Sequence, residues 1–411
     1  MSPLRLALVC LHTSPATEPG AGDAGGMNVV VWQQAQALAA LGHRVDVITR
    51  RSDPAQPEHT TPSPHLTLRF LDAGPAQPLP KGAHEDVVAD FGAELARVAE
   101  LGRFGRYDLI HSHHWFSGVA ALPVARSLGT PHVQSFHSIA APEATPLSAG
   151  ERPESPGRLA GEAMLARESD LVVAISAAEA RTVTGRLGAD PDRVVIVGPG
   201  VDNNLFHPDL RRPGAGGAGP APDPGHLLVA GRLHPLKGID LGIEALALLP
   251  EPRPLLVVAG DPASDTAEYA QWLHELARAR GVADLVQFAG AQHRADLAAL
   301  MRTARAVLVT SHSETYGLVA LEASASGVPV VAAAGAGGLA EAVLDGVTGL
   351  LVPTRVPGDW AAAIERVLTE PGLAGALGGA GRDRALGLDW ENSARDLLEA
   401  YVSATARRPR S

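Results

Sequence analysis

Short apolar runs rich in β-branched residues alternate with longer stretches of helical spacing along nearly the whole chain, and this alternation limits the fold more than any single motif. Leu6–Leu11, Val45–Thr49, Leu109–His111, His132–Phe136, Leu171–Ile175 and Val194–Val197 read as strands. Val31, Ala35, Leu38 and Leu41 fall on one helical face, and Gly42 follows as a stop signal. A parallel neighbour can be reached only through a crossover, so the pattern predicts parallel sheets with helices on both faces. The series breaks at 209–225, where Pro213-Gly-Ala-Gly-Gly-Ala-Gly-Pro220 reads as a linker or a long exposed loop. It resumes with Leu227–Ala230, Leu255–Ala259, Val286–Phe288, Ala306–Thr310, Val328–Ala332 and Leu350–Val352. The expected organisation is an α/β domain over 1–208, the linker over 209–225, a second α/β domain over 226–388, and a closing helix and tail over 389–411.

The totals agree with two domains. A chain of 411 residues exceeds what one core usually holds. With 45% hydrophobic and 19% charged residues it reads as soluble and globular. A formal net charge of −11 argues against nucleic acid as a partner. The single cysteine, Cys10, rules out an intrachain disulfide and a cysteine-based zinc site, and its apolar run makes it a buried strand residue. Arg5 interrupts a short apolar start, so no signal peptide is expected. No uncharged apolar window reaches about 18 residues, so no spanning helix is expected either. The cytoplasm is the expected compartment.

Chemistry concentrates at strand ends. His12-Thr-Ser-Pro15 leads to Gly22-Asp-Ala-Gly-Gly-Met-Asn28 before a helix. Glycines there let backbone approach a phosphate at a helix N-terminus, although a plain tight turn reads equally well. The loop is too long for a dinucleotide fingerprint, and no acidic residue clearly ends the second strand. Gly231-Arg-Leu-His-Pro-Leu-Lys-Gly238 puts Arg232 and Lys237 just past a buried strand, where two cations can neutralise a leaving diphosphate. Ser313-Glu-Thr-Tyr-Gly-Leu-Val-Ala-Leu-Glu322 puts Glu314 in a loop and Glu322 about two turns into a helix, so both carboxylates can face one cleft. Carboxylates accept from paired hydroxyls, as on a sugar or a ribose. The amides of Gly317, Leu318 and Val319 can meet a phosphate. Ala334-Gly-Ala-Gly-Gly338 repeats the glycine turn, either as a phosphate loop or as an ordinary connection. His111, His113, His114, His132 and His137 crowd two strand ends, with no carboxylate or thiol to complete an obvious metal site. Asp190-Pro-Asp192 reads as a turn.

Together these motifs resemble the retaining GT-B glycosyltransferases of family 4: the paired glutamates, the basic Gly231–Gly238 run, and Asp389-Trp390 before a closing helix. The N-terminal motifs His12-Thr-Ser-Pro15, Gly22–Val29 and Asp108-Leu-Ile-His-Ser-His113 look like those of the inositol-phosphate transferases of mycothiol biosynthesis within that family. The resemblance implies two Rossmann-like domains facing a central cleft, an N-terminal acceptor domain and a C-terminal donor domain, with the closing helix crossing back to the first. It implies a UDP-sugar donor, no cofactor or metal requirement, a small phosphorylated acceptor such as inositol phosphate, and allows a homodimer. Gly26 would then contact the donor phosphates. Arg232, Lys237, Glu314, Gly317, Leu318, Val319 and Glu322 would complete the donor site. His137, Arg232, Lys237 and Glu314 would act in transfer, His137 through its backbone carbonyl. Asn28, Lys81, His114, Ser138 and Arg158 would line the acceptor site. Three positions depart from the family pattern: His114 stands for tyrosine, Ser138 for threonine and Gln292 for arginine. Another family-4 acceptor (sucrose-phosphate-type or natural-product) and a non-catalytic nucleotide-sugar-binding protein are the rival readings.

Overall fold

The computed structural model describes residues 3–18, 24–100, 106–208, 225–262 and 266–406. The expected linker 209–225, except Gly225, therefore lies outside the described residues, as do Gly22, Asp23 and the basic tail Arg407-Arg-Pro-Arg410. By its internal contacts the chain divides into two units, one made of residues up to Gly200 with Trp390 onward, the other of Val201–Asp389.

In the first unit the order is β1 (Arg5–Cys10), α1 (Gly26–Ala40), β2 (Arg44–Arg50), β3 (His59–Ser63), β4 (Leu66–Leu71), α2 (Val88–Glu100), β5 (Leu109–His113), α3 (Trp115–Ser127), β6 (His132–Ser135), α4 (Arg158–Glu168), β7 (Leu171–Ala174), α5 (Ala177–Gly185) and β8 (Val194–Ile196). The sheet runs β3-β4-β2-β1-β5-β6-β7-β8 and is parallel except for β3, which pairs antiparallel with β4. Strand periodicity sorts β1 between two cores. Leu6, Leu8 and Cys10 pack on one face with Val31, Ala35 and Leu38 of α1, while Ala7 and Val9 pack on the other with Phe91, Phe116 and Leu165. Cys10 is fully buried, and burial raises its thiol pKa, as suits a strand residue.

The second unit holds β9 (His226–Ala230), α6 (Ile239–Leu248), β10 (Leu255–Ala259), α7 (Ala267–Ala279), β11 (Val286–Gly290), α8 (Arg294–Thr303), β12 (Ala304–Val309), α9 (Leu318–Ala325), β13 (Val330–Ala333), α10 (Leu339–Ala342), β14 (Gly349–Val352), α11 (Pro357–Thr369) and α12 (Leu373–Leu386). Its sheet is parallel, in the order β11-β10-β9-β12-β13-β14.

The last helix, α13 (Trp390–Ala406), belongs to the first unit. Ala394, Leu397, Leu398, Tyr401 and Ala404, at helical spacing, complete the core that α1 began. A buried polar chain anchors it. Ser135 Oγ donates to the Val173 carbonyl at 2.9 Å, so it accepts from His111 Nε2 at 2.9 Å, and His111 Nδ1 is left to accept from Tyr401 Oη at 2.8 Å. All twelve strands read from the sequence are present. β3 and β4 were not foreseen. Among the described residues no helix is long and apolar enough to cross a membrane.

Candidate active site

In the second unit the C-terminal ends of parallel strands deliver the charged motifs. After β9, Gly231 at φ 151° turns the chain toward Arg232, which is half-buried. A Cβ at Gly260, past β10, would run into the Gly231 carbonyl, so glycine at 260 lets the two turns touch. The following Pro235–Lys237 turn is clamped to the end of β12. Thr310 Oγ1 donates to the Lys237 carbonyl at 2.9 Å, and the His312 N–H donates to the Leu236 carbonyl at 2.7 Å. Gly238 sits at φ 59°, and any Cβ there would run into the Thr310 carbonyl.

This clamp brings together two motif residues that are 77 positions apart: Lys237 Nζ lies 2.5 Å from Glu314 Oε1, which also accepts from Ser311 Oγ at 2.6 Å. The Glu314 loop rests on the glycine run before α10. The Gly338 N–H donates to the Glu314 carbonyl at 2.9 Å, and a Cβ at Gly337 or Gly338 would run into the Glu314 or Thr315 carbonyl. The second glycine turn thus supports the carboxylate loop. Gly317, at φ 111°, opens α9, whose first N–H groups, those of Leu318 and Val319, have no helical carbonyl to bond.

Glu322 is the fifth residue of α9, closer to the helix start than the sequence reading placed it, and is only 4% exposed. Its partner is Arg294, the first residue of α8, with Nη1 at 2.5 Å from Oε1. Arg294 stacks over Phe206 at 4.8 Å. The two glutamates therefore carry separate cations. Arg294 was missed; its signal was an arginine two residues beyond Gln292, whose amide instead donates to the Ala289 carbonyl at 2.7 Å.

In the first unit, Gly26 is the first residue of α1. Asn28, 1% exposed, is fully engaged locally: Oδ1 accepts the Gly25 N–H at 3.0 Å, and Nδ2 donates to Thr13 Oγ1 at 3.0 Å and to the Ser14 carbonyl at 2.7 Å. It ties the loop after β1 to the helix start.

Lys81, Ser138 and Arg158 come together. Lys81 Nζ lies 2.9 Å from Glu151 Oε1, and Arg158 Nη1 lies 3.2 Å from Glu151 Oε2. Arg158 also pairs with Glu154, reaches Glu162 Oε1 from Nε at 2.8 Å, and donates from Nη2 to Ser138 Oγ at 3.0 Å. Close backbone approach makes this possible, since a Cβ at Gly82 would lie 2.5 Å from the Glu154 carbonyl. Burial works against the Arg158 charge, but Glu151, Glu162 and Glu154 more than offset it, and its pKa rises above the ordinary value. Glu162 is also raised, by burial that outweighs Arg158. None of the three carboxylates was foreseen.

The histidines fall into three groups. His111 and His132 are structural: His132 bonds Ser112 Oγ and Ser169 Oγ at 2.9 and 3.1 Å. His113 Nδ1 and His137 Nε2 face each other at 2.9 Å, and burial lowers the His137 pKa to about 4. His12 and His114 stack with ring centroids 4.3 Å apart. His114 and His137 are held at φ 69° and 60°, a region that non-glycine residues rarely occupy, as is His65 in the exposed turn between β3 and β4. Among the described residues no three His, Cys, Asp or Glu side chains group to hold a metal ion.

The chain matches the model for Glycosyltransferase Family 4 over residues 24–205 and that for Glycosyl transferases group 1 over 218–384. It is 40% identical to a D-inositol 3-phosphate glycosyltransferase of Stackebrandtia nassauensis, over 99% of this chain and 93% of that protein. It belongs to the family-4 GT-B glycosyltransferases. Among solved structures, sucrose-phosphate synthase from Thermosynechococcus elongatus superposes with a TM-score of 0.85 at 30% identity, covering 98% of this chain and all of the other. Anabaena Alr3699/HepE, in complex with UDP and glucose, superposes at 0.72 with 21% identity, covering 97% of this chain and all of the other, and so shares the fold. The two matched segments fall largely in the two units: Arg232, Lys237, Glu314, Glu322 and Arg294 lie in the second, and Lys81, His114, His137, Ser138 and Arg158 in the first.

Proposed function

We propose that this family-4 enzyme transfers N-acetylglucosamine or glucose from a UDP-sugar to a small phosphorylated polyol such as inositol phosphate, with retention at the anomeric carbon. The observation that carries the acceptor reading is the convergence of Lys81, Arg158 and Ser138 on one locus, two cations on separate elements linked through Glu151. Arg158 is buried, Lys81 is half-buried, and both reach Glu151, which sets them apart from solvated surface charges. The names of the D-inositol 3-phosphate relatives support the same class.

On this reading Arg232, Lys237 and the amides at the start of α9 take up charge on the departing diphosphate. Glu314 accepts from hydroxyls of the transferred sugar and Glu322 from those of the ribose. The bond from the anomeric carbon to the diphosphate oxygen breaks. The acceptor oxygen bonds to that carbon on the same face, and its proton passes to the departing phosphate. His137, fixed in its left-handed backbone conformation, directs its carbonyl to the donor sugar. Lys81, Ser138 and His114 hold the acceptor, Arg158 setting the position of Ser138. Asn28 acts by bracing the loop that carries His12.

The likeness to sucrose-phosphate synthase supports a second reading, a sucrose-phosphate-type transfer. One experiment separates the two: UDP-, ADP- and GDP-sugars are each offered inositol phosphate, hexose phosphates and free polyols. Nucleotide release, product mass and the anomeric coupling constant of the product are read. Preference for inositol phosphate with retained configuration is expected. Preference for unphosphorylated polyols would remove the acceptor assignment.

A further inference from the structure

The register of β6 ends before His137: its last pairs are Gln134 with Val172 of β7 and Ser135 with His113 of β5. Yet His137 is held at φ 60°. An L-residue keeps that conformation only where its surroundings impose it. At His65 they are a tight turn closed by the paired Ser63 and Leu66. At His137 one side chain acts on the ring and another on the peptide.

The first is His113, the last residue of β5, only 1% exposed. Its Nδ1 faces His137 Nε2 at 2.9 Å. Burial lowers the pKa of both rings, so near pH 7 both are neutral, and one nitrogen donates while the other accepts. His113 is itself held in place. Its ring stacks on His111 with centroids 4.1 Å apart, and His111 bonds Ser135 Oγ and Tyr401 Oη at 2.9 and 2.8 Å.

The second is Glu179, the third residue of α5. The cap of that helix fixes it, since Ser176 Oγ accepts the Glu179 N–H at 3.0 Å. Its carboxylate reaches back past the cap. Oε2 accepts the Ile175 N–H, just beyond β7, at 2.7 Å, and the His137 N–H bonds the same carboxylate. Where β6 and β7 part, one side chain thus takes up the backbone of both. Glu179 is only 5% exposed, and burial outweighs the two N–H groups and lifts its pKa to about 7, with Glu162 adding a like charge. A carboxylate is costly in such a place unless it is bonded.

We propose that His113 and Glu179 are positioning residues for transfer, holding His137 by its ring and by its peptide so that its carbonyl faces the donor sugar. The proposal rests on the donor-side role given to that carbonyl above. Fixing the N–H sets the peptide plane before Cα, and fixing the ring sets Cβ. Only the narrow left-handed well then remains for ψ, which aims the carbonyl. Both residues act through His137 and not on substrate.

The test is steady-state kinetics of the full chain with UDP-N-acetylglucosamine and D-inositol 3-phosphate, or with whichever pair of the panel above turns over fastest. His113→Phe keeps the stacked ring and removes its nitrogens, whereas His113→Asn keeps a polar atom near the place of Nδ1. Glu179→Ala removes the acceptor of the His137 N–H, whereas Glu179→Gln keeps one. Thermal melting verifies folding, and if one of the two sites does not tolerate change the other decides. His113→Phe and Glu179→Ala should each lower kcat by about ten- to 100-fold, as misplacement by about 1 Å does. Acceptor KM should stay within about twofold, and Asn and Gln should recover most of the loss. Unaltered kcat in the folded Phe and Ala variants, a loss shared equally by KM, or no recovery by Asn and Gln overturns the proposal. His137→Gly and His137→Val test the reading beneath it, because both keep the carbonyl while glycine adopts a positive φ freely and valine resists it. His137→Val should lose more kcat than His137→Gly. Equal losses remove the backbone role of His137 and the proposal with it; the expected order beside unaltered His113→Phe and Glu179→Ala overturns the proposal alone.

Discussion

Replacing Arg158 with methionine keeps most of the side-chain volume and removes the charge from the most heavily paired cation in the first unit. Arg158 and Glu162 are both 0% exposed, and Glu151 and Glu154 retain only 17% and 11% side-chain exposure. Breaking a buried pair by deleting one partner costs about 3–5 kcal/mol, because the other charge stays behind uncompensated. The Ala140 N–H, which lies 3.1 Å from both Glu162 oxygens, offsets only part of this. For a unit of roughly 200 residues, that corresponds to a melting temperature lower by about 6–20 °C. The pH dependence has a definite sign. Burial already raises the Glu162 pKa against the pull of Arg158, and deleting Arg158 raises it further. A carboxyl whose native pKa is raised holds more protons in the native than in the unfolded state. Its contribution to stability is therefore intact below the unfolded pKa of about 4.3 and lost as pH rises through the native value. The penalty of Arg158→Met should be largest near pH 8 and shrink toward pH 5. Thermal and urea melts followed by circular dichroism at four pH values measure it, and Arg158→Met combined with Glu162→Gln should recover most of the loss. A penalty below about 1 kcal/mol at pH 8, or one that grows on acidification, would refute the claim that these carboxylates depend on the guanidinium.

Three further outcomes are expected. Lys237→Met should lower kcat by about 100-fold or more, with Lys237→Arg partly restoring it; steady-state kinetics with unchanged kcat would take Lys237 out of transfer. Gly338→Ala should destabilise the second unit by about 1–3 kcal/mol and weaken donor binding, because the new methyl would overlap the Thr315 carbonyl and crowd Tyr316 Cα at 2.8 Å. Gly335→Ala, where nothing lies within 4 Å, is the control, and equal melting temperatures for the two would contradict the packing argument. Tyr401→Phe should cost about 1–3 kcal/mol by leaving His111 Nδ1 without its donor; an unchanged melting temperature would mean that α13 is held by apolar packing alone.

The two β-branched series, the break at 209–225 and the helical spacing of each segment were enough to read twelve parallel strands and two α/β halves. Such patterns are local: burial on both faces of a parallel sheet demands apolar runs, and a run can be seen without knowing its neighbours. β3 and β4 escaped for equally physical reasons. His59-Thr-Thr-Pro-Ser63 is an exposed edge with a proline in it, as only edge strands tolerate. In β4, Arg69 interrupts the apolar run, and Asp46, from β2, pairs with its charge at 3.0 Å.

The candidate site divides along the same line. Arg232, Lys237, Glu314 and Glu322 were legible, because a cation or carboxylate just beyond a buried strand is conspicuous in one dimension. Which cation meets which carboxylate was not. Lys237 reaches Glu314 because Thr310 and His312 clamp its turn, and Glu322 takes Arg294 because α8 starts beside α9. The sequence by itself determined two parallel-sheet halves and the kinds of charge at their strand ends. Only the tertiary structure decided that Arg158 would lie under three glutamates and His114 beside it with both nitrogens unpaired. Burial and charge pairing depend on residues far apart in the chain, and no local pattern records them.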